Sequence, residues 1–211
     1  MAAQKSLFTD ASTDRCIFEK RAHRRGYRRV AGLDEVGRGP LAGPVVAAAV
    51  VLAPEVDLPS VRDSKQLTAA QRQVLERQII ECAVDVSIGS VSPGEIDKHN
   101  ILQATFQAMM GALEGLLEVP DFLLIDGPYT LPVAIPQQGI KQGDQRSVSI
   151  AAASIVAKVH RDRFMTEQHH LYPVYGFANN KGYGTPEHLE ALRRYGPCPL
   201  HRRTFRGVCL E

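Results

Sequence analysis

The sequence predicts an α/β fold in which helices pack on a mixed β-sheet. Two long apolar runs, residues 28–36 and 43–52, come first, and later apolar strands alternate with amphipathic helices. The apolar residues are mostly Ala, Val, Leu and Ile, with 6% aromatic residues and no Trp. At 211 residues and 44% apolar content, the chain is long enough for one large domain with a full core.

The first half of the chain supplies the long strands and two helices. Thr13 is a candidate cap for a short basic helix that ends near Gly26, before the two strands. Thr68 is expected to cap a helix to about residue 82, and its apolar stripe consists of Val74, Leu75, Ile79 and Ile80. A strand over residues 83–91 follows, and Ser92 then caps a long helix. The buried face of that helix carries Ile101, Leu102, Phe106, Met109, Leu113 and Leu117.

The second half continues the alternation. Residues 122–125 form a short, fully apolar strand, and residues 131–135 are a candidate for another. A helix is predicted from about 147 to 169, followed by an irregular segment over 172–184. The last helix begins at Pro186.

Charge distribution and cysteine content bear on nucleic-acid binding and on the cellular compartment. Net charge is +2, but basic residues gather near both ends. They are Lys20, Arg21, Arg24, Arg25, Arg28 and Arg29, and then Arg193, Arg194, Arg202, Arg203 and Arg206. The two groups form either a phosphate-binding surface or ordinary solvated helix faces. The four cysteines lack Cys-x-x-Cys spacing, and there is no secretory leader or run of about 18 apolar residues, so we expect a cytoplasmic protein without a membrane span.

Four acids stand at the edges of regular elements. Asp34 and Glu35 close the first strand, Asp126 closes the short apolar strand, and Asp144 precedes a helix. Active sites of α/β sheets lie at such strand ends, and clustered carboxylates need a compensating cation. Hard oxygen ligands without a His or Cys cluster favour Mg²⁺ or Mn²⁺. Individually, Asp126 is also explained as a turn residue and Asp144 as a helix cap.

Adjacent strand residues point to opposite faces of a sheet. Asp34 and Glu35 therefore cannot both face one metal ion from ideal strand geometry. Either the strand ends or twists there, or one of them acts through its backbone carbonyl or through water.

Three further features are candidates for substrate contact. The turn Gly37-Arg38-Gly39 allows close backbone approach to a phosphate or sugar hydroxyl, although a plain tight turn is the better explanation of a bare Gly-x-Gly. One face of the helix after Asp144 carries Ser147, Ser154, Lys158 and Arg161, which line either a phosphate path or solvated surface. Tyr183 lies between glycines in a basic loop and is a candidate stacking platform or a half-buried loop residue.

Together these residues resemble the ribonuclease HII family. The longest match is Asp34-Glu35-Val36-Gly37-Arg38-Gly39-Pro40-Leu41-Ala42-Gly43-Pro44-Val45. Shorter matches follow in family order at Asp63-Ser64-Lys65, Asp126-Gly127, Gly143-Asp144, Ser149 to Asp162, Lys181-Gly182-Tyr183 and His201-Arg202. The resemblance covers residues 28–206. Since only residues 1–27 precede the first strand, it favours ribonuclease HII over ribonuclease HIII, which carries a sizeable N-terminal domain.

The resemblance implies a ribonuclease H-like fold: a mixed five-stranded sheet flanked by helices, with additional C-terminal helices. It implies an N-terminal segment with a short basic helix, residues 1–27, and a catalytic domain, residues 28–211. The implied activity is endonucleolytic cleavage of the RNA strand of RNA–DNA hybrids, and incision 5′ of ribonucleotides embedded in duplex DNA. Two-metal-ion catalysis would leave 3′-hydroxyl and 5′-phosphate ends, and would serve removal of misincorporated ribonucleotides and RNA primers.

By resemblance, the catalytic and metal-binding residues are Asp34, Glu35, Asp126 and Asp144. The substrate-binding residues are Gly37, Arg38 and Gly39, which sense the ribose 2′-hydroxyl, Tyr183, which stacks on a sugar, and Ser64, Lys65, Lys158 and Arg161.

Two rival functions remain open from the sequence. One is a non-catalytic binder of RNA–DNA junctions, and the other is a superfamily nuclease or strand-transferase that acts on DNA alone. The expected partner is nucleic acid and the expected state is a monomer. A sliding-clamp contact through a terminal segment stays open, and no motif for it is identified.

Overall fold

The fold is known from a computed structural model that describes residues 15–56, 58, 61 and 67–209. Its centre is a five-stranded sheet in the order β3-β2-β1-β4-β5. β1 pairs antiparallel with β2 and parallel with β4, so the sheet is mixed, as predicted. The strands are β1 (Val30–Val36), β2 (Val45–Leu52), β3 (Ala83–Val91), β4 (Phe122–Asp126) and β5 (Gln137–Ile140). The helices are α1 (Ile17–Arg24), α2 (Ala69–Cys82), α3 (Pro93–His99), α4 (Ile101–Glu114), α5 (Gly143–Arg146), α6 (Val148–Leu171), α7 (Phe177–Asn180) and α8 (Pro186–Tyr195), with a 3₁₀ turn at Pro173–Tyr175.

The two faces of the sheet are covered by different helices. Ala47 and Ala49 of β2 lie in the cluster on the α4 side, whereas Ala48 and Val50 lie in the cluster on the α6 side. Every residue of β2 is buried. This is why the strand is a continuous apolar run instead of an alternating one.

Two glycines let helix backbones lie directly on the sheet. A Cβ at Gly32 of β1 would lie 2.2 Å from the carbonyl carbon of Ser149 in α6. A Cβ at Gly89 of β3 would lie 2.0 Å from the backbone oxygen of Ala108 in α4. Neither contact leaves room for a side chain, so the positions of α4 and α6 on the sheet are fixed at these two points.

The long helix predicted after Ser92 is two helices. Asn100 interrupts it with φ of 68°, and its side chain accepts hydrogen bonds from the N–H groups of Leu102 and Gln103 at the start of α4. Asn tolerates this left-handed conformation and caps helices well, which explains the break. α4 ends at Glu114, and Leu117, expected on the buried face, is 89% exposed.

The candidate strand over residues 131–135 is also wrong. Leu131 is buried, but the strand that pairs with β4 is β5, Gln137–Ile140. The Gln137 side chain accepts from the Leu131 N–H at 2.7 Å and donates to its carbonyl at 2.9 Å. The apolar segment therefore packs on the core as an irregular loop, held by the polar strand that follows it.

Helix α2 has its predicted cap but only half of its predicted stripe. The Thr68 side chain closes a capping box at its first turn. Leu75 and Ile79 are buried, whereas Val74 and Ile80 are about half exposed. The predicted Thr13 cap lies outside the described residues. Within the described ranges, no helix is both long and apolar enough to cross a bilayer.

Candidate active site

The predicted acids meet at the ends of two parallel strands. β1 and β4 run in register, with Leu33 opposite Ile125, so Asp34 and Asp126 follow at the same level of the sheet. Asp144 lies in the one-turn helix α5, not merely before a helix. The N–H of Gly143 donates to Asp126 Oδ1 at 2.6 Å and joins this turn to the end of β4.

Asp34 and Glu35 do point to opposite faces. Asp34 is 6% exposed and is hydrogen-bonded by Ser154 of α6. Glu35 lines a cavity on the α4 side together with Phe106, and its Oε1 pairs with Arg38 Nη1 at 3.1 Å. Both residues lie within β1, so the strand does not end before them. The Glu35 N–H nevertheless donates to Asp34 Oδ1 at 2.7 Å, so the two residues remain coupled.

The carboxylates raise one another's pKa values. Burial raises the pKa of Asp34 well above its usual range, and the charges of Glu35 and Asp126 raise it further. Burial also raises the pKa of Glu35, against the lowering effect of Arg38. Burial and then the charge of Asp144 raise the pKa of Asp126, while the Gly143 N–H opposes this. The folded site therefore concentrates negative charge that a cation would stabilise.

These acids interact electrostatically but do not form a complete metal-coordination site. In the part of the chain that the structure describes, no group of three or more Asp, Glu, His or Cys side chains is arranged to hold a metal ion. One oxygen of Asp126 is occupied by a backbone N–H, and one of Glu35 by Arg38. The donor set itself consists of carboxylate oxygens, which suits a hard divalent ion.

The glycine turn lies beside the predicted stacking residue. A Cβ at Gly39 would lie 3.9 Å from Cε1 of the Tyr183 ring. The Leu41 N–H donates to the Gly182 carbonyl at 2.8 Å, so the two loops are hydrogen-bonded to each other. Tyr183 is 46% exposed, which leaves much of its side chain accessible.

Arg161 occupies a different place from the one predicted. It is fully buried, and its guanidinium donates to the carbonyls of Ala42, Pro44 and Lys181 at 2.9–3.0 Å. Its side chain therefore cannot line a phosphate path and instead holds the two loops from inside. Burial lowers its pKa.

The other residues of the predicted helix face differ in their exposure to solvent. Ser147 is buried, while Lys158 is partly exposed and pairs with Asp162 at 2.6 Å. The predicted contacts of Ser64 and Lys65 lie outside the described residues. Of the basic ends, Arg29 is paired with Asp85 at 3.1 Å.

Glu19 was missed by sequence reasoning. This α1 carboxylate is 7% exposed, and its Oε1 accepts from the side-chain hydroxyls of Ser147 and Ser149 at 2.5 and 2.6 Å. It thereby holds the start of α6, immediately after the turn that carries Asp144. An acid within an otherwise basic helix was the only available signal.

The chain matches a known protein family along most of its length. The family model described as Ribonuclease HII matches residues 31–208. A ribonuclease HII of Syntrophobacter fumaroxidans is 65% identical over 195 residues, covering 92% of this chain and 84% of the relative. A ribonuclease HII of Syntrophotalea carbinolica is 55% identical over 202 residues, covering 96% and 97%.

Solved structures agree at the level of the fold. The ribonuclease H2 of Pyrococcus horikoshii superposes with a TM-score of 0.75 at 29% identity, covering 85% of this chain and 95% of the other. A chain from the PCNA:RNase HII complex of Archaeoglobus fulgidus gives 0.69 at 25% identity, covering 82% and 92%. A Bst-RNase HIII in complex with Mn²⁺ gives 0.63 at 18% identity, covering 89% and 70%, which indicates a shared fold. The chain belongs to the ribonuclease HII family and is an endonuclease of the ribonuclease H type.

Proposed function

We propose that the protein cleaves the RNA strand of RNA–DNA hybrids and incises 5′ of single ribonucleotides embedded in duplex DNA. The products are a 3′-hydroxyl and a 5′-phosphate, and the biological roles are removal of misincorporated ribonucleotides and of RNA primers. The observation that carries this proposal is the contiguity of the acids with a loop suited to sugar recognition. Glu35 is two residues from Gly37, and the Tyr183 ring lies beside Gly39.

The carboxylate donors of the four acids suit Mg²⁺ or Mn²⁺ chemically. Asp34, Glu35, Asp126 and Asp144 would hold them, because these carboxylates are mutually repulsive and a divalent cation would relieve that repulsion. Two such ions would supply an activated water and would stabilise the leaving oxygen in phosphodiester hydrolysis. Ser154 and the Glu35 N–H keep the Asp34 carboxylate oriented.

The other residues recognise the substrate. Only the 2′-hydroxyl or the helix shape distinguishes RNA from DNA, and the backbone of Gly37, Arg38 and Gly39 is assigned to the 2′-hydroxyl. The half-exposed Tyr183 ring stacks on the neighbouring sugar. Lys158, Ser64 and Lys65 are assigned to phosphate contacts, and the protein acts as a monomer on its nucleic-acid substrate.

The test is a duplex DNA that contains one ribonucleotide, incubated with Mg²⁺ or Mn²⁺ over a concentration series. We expect a single cut 5′ of the ribonucleotide, none in EDTA, and none in an all-DNA duplex of the same sequence. A binder of RNA–DNA junctions would shift the duplex in a gel without cutting it in either ion. Cleavage of the all-DNA duplex would contradict the assignment of Gly37, Arg38 and Gly39.

Asp34→Asn and Asp126→Asn serve as the matched catalytic variants. Both should abolish cleavage and retain binding to the hybrid, because they remove charge without changing side-chain size. Normal turnover by either variant would disprove the assignment of the metal ligands.

A further inference from the structure

The C-terminal segment of residues 200–202 lies against the loop of residues 37–43. Ala42 and His201 form an isolated antiparallel bridge. The Gly43 N–H donates to the Leu200 carbonyl at 2.8 Å, and the Arg202 N–H donates to the Leu41 carbonyl at 2.9 Å. The side chains of His201 and Arg202 are both buried and have no part in the mechanism described so far.

Arg202 binds the loop through four backbone carbonyls. Nη2 donates to Gly37 at 2.5 Å and to Gly43 at 2.9 Å. Nη1 donates to Arg38 at 3.0 Å and to Pro40 at 2.8 Å, and Nε donates to Gly43 at 3.0 Å. The residue is 0% exposed, and burial lowers its pKa to about 9. Carbonyl dipoles of the loop therefore solvate this buried charge.

This arrangement determines where the amide hydrogens of the loop point. No cis peptide bond occurs in the described chain, and in a trans peptide the C=O and the next N–H point in opposite directions. Because the carbonyls of Gly37 and Arg38 face Arg202, the N–H groups of Arg38 and Gly39 face away from it. Neither N–H has an acceptor among the described residues, so both are available to an oxygen of the substrate.

His201 acts on the other recognition element, Tyr183. His188 Nδ1 lies 2.8 Å from the Tyr183 carbonyl, and His188 Nε2 lies 2.9 Å from His201 Nε2. A carbonyl can only accept, so a neutral His188 carries its hydrogen on Nδ1 and accepts at Nε2. His201 then donates from Nε2, and its Nδ1 accepts the Cys198 N–H at 3.0 Å. With both imidazoles neutral, the contacts with the Tyr183 carbonyl, between the two Nε2 atoms and with the Cys198 N–H are all satisfied, and the Cys198 carbonyl lies a further 3.3 Å from His201 Nδ1.

Burial keeps the pair neutral. The pKa of His188 is lowered by burial, and the pKa of His201 is lowered to about 4 by burial and by His188. The Tyr175 ring contacts the imidazole of His201 edge-on at 4.7 Å between centroids. The relay from Cys198 to Tyr183 is thus a fixed hydrogen-bonded chain inside the protein.

We propose that His201 and Arg202 are positioning residues for ribose recognition. Arg202 orients the backbone of residues 37–39 so that two N–H groups face the 2′-oxygen. His201, through His188, fixes the backbone of Tyr183 and thereby the position of the Tyr183 ring relative to Gly39. One dipeptide therefore sets the relative position of both elements. The inference rests on the proposed function, in which this loop and Tyr183 contact the ribonucleotide.

The role of Arg202 is tested with a nucleotide whose sugar lacks the 2′-oxygen. Arg202→Lys and Arg202→Gln are assayed on an embedded ribonucleotide and on its 2′-fluoro analogue, because fluorine is a poor acceptor. In the wild type the analogue should be cut at least about tenfold more slowly. In both variants kcat on the ribonucleotide should fall with little change in KM, and the penalty for fluorine should shrink. Arg77→Lys, on the exposed face of α2, is the control and should retain the full penalty.

The His201 arm is tested by a double-mutant cycle with Tyr183. His201→Leu should reduce the preference for a single embedded ribonucleotide over a long hybrid, as is expected of Tyr183→Ala, and the double variant should lose no more than either single variant. His201→Gln keeps a donor near the Nε2 position and should restore the preference. All assays are run at a temperature where circular dichroism shows each variant folded.

The outcomes separate the two proposals. An unchanged fluorine penalty in both Arg202 variants, or additive losses for His201→Leu and Tyr183→Ala, would overturn the positioning role while the proposed function stands. If the wild type does not cut the ribonucleotide duplex at all, the proposed function fails first and the positioning role fails with it.

Discussion

Gly32→Ala is a one-methyl change at the contact between β1 and α6. The new Cβ would lie 2.2 Å from the Ser149 carbonyl carbon and 2.4 Å from the Ile150 nitrogen. Both opposing atoms are backbone, so no rotamer change relieves the overlap. Ordinary contact begins at 3.4 Å, and α6 must therefore retreat from the sheet by about 1 Å.

The energetic cost follows from that retreat. Overpacking of a core by one methyl costs about 1–3 kcal/mol, and this site belongs at the upper end because a whole helix must move. The same shift separates Ser154 from Asp34, two residues after the mutation. We therefore expect a loss of about 3 kcal/mol in unfolding free energy, and a fall in kcat of about 100-fold because reacting groups tolerate little misplacement.

Urea denaturation at pH 7 measures the stability, and single-turnover cleavage of the embedded-ribonucleotide duplex measures the activity. Gly94→Ala is the matched control. Its Cβ would meet nothing closer than the Ser92 hydroxyl at 3.9 Å, and it lies within α3. Because Ala favours helix over Gly, that variant should gain about 0.5–1 kcal/mol and keep its activity.

An unchanged urea midpoint for Gly32→Ala would refute this reasoning. It would mean that α6 does not lie against β1 as closely as described. A stability change no less favourable than that of the Gly94→Ala control would have the same meaning.

The remaining predictions concern charge and the stacking residue. Asp34→Asn should raise the melting temperature in EDTA, by the equivalent of about 1 kcal/mol, because it removes a buried charge beside Glu35 and Asp126. In calorimetry, Mg²⁺ should raise the melting temperature of the wild type more than that of the variant. Equal Mg²⁺-induced shifts in the two proteins would contradict this prediction. His201 has a folded pKa of about 4 against an ordinary 6.5, so the unfolded chain binds a proton that the folded chain excludes. Stability should be complete above pH 6.5 and fall toward pH 4, by up to about 3 kcal/mol for this group, and urea midpoints should fall less for His201→Gln. Tyr183→Ala should weaken cleavage of a single embedded ribonucleotide more than that of long hybrids, and equal losses on both would indicate a structural role only.

Much of this fold could be predicted because its strands follow hydrophobicity. β1 and β2 are continuous apolar runs, and acids that end such runs have few structural explanations. Asp34 and Asp126 could therefore be expected at one edge of the sheet on the condition that their strands are neighbours, and the parallel pairing of β1 with β4 meets that condition. Asp144 followed from its position at a helix start, although its one-turn helix did not.

What could not be predicted was mostly the burial of polar groups. Arg161 and Arg202 are both 0% exposed, and nothing in a sequence distinguishes a buried arginine from a solvated one. Their partners are backbone carbonyls, which have no sequence identity. Asn100 broke a helix because its own side chain caps the next one, a local choice that hydrophobic periodicity does not record.

The polar composition of β5, which prevented its prediction as a strand, also affects how the protein meets other molecules. β5 forms one edge of the sheet, and an open edge is a template on which another chain can add a strand. This edge is only four residues long, Gln137–Ile140, and contains two glutamines and a glycine. Gly139 also packs against the backbone of the preceding loop, because a Cβ at this position would lie 2.8 Å from the Gly127 carbonyl oxygen. A strand too short and too polar to be recognised by hydrophobicity is equally poor at recruiting a second molecule, and so protects the protein from edge-to-edge aggregation.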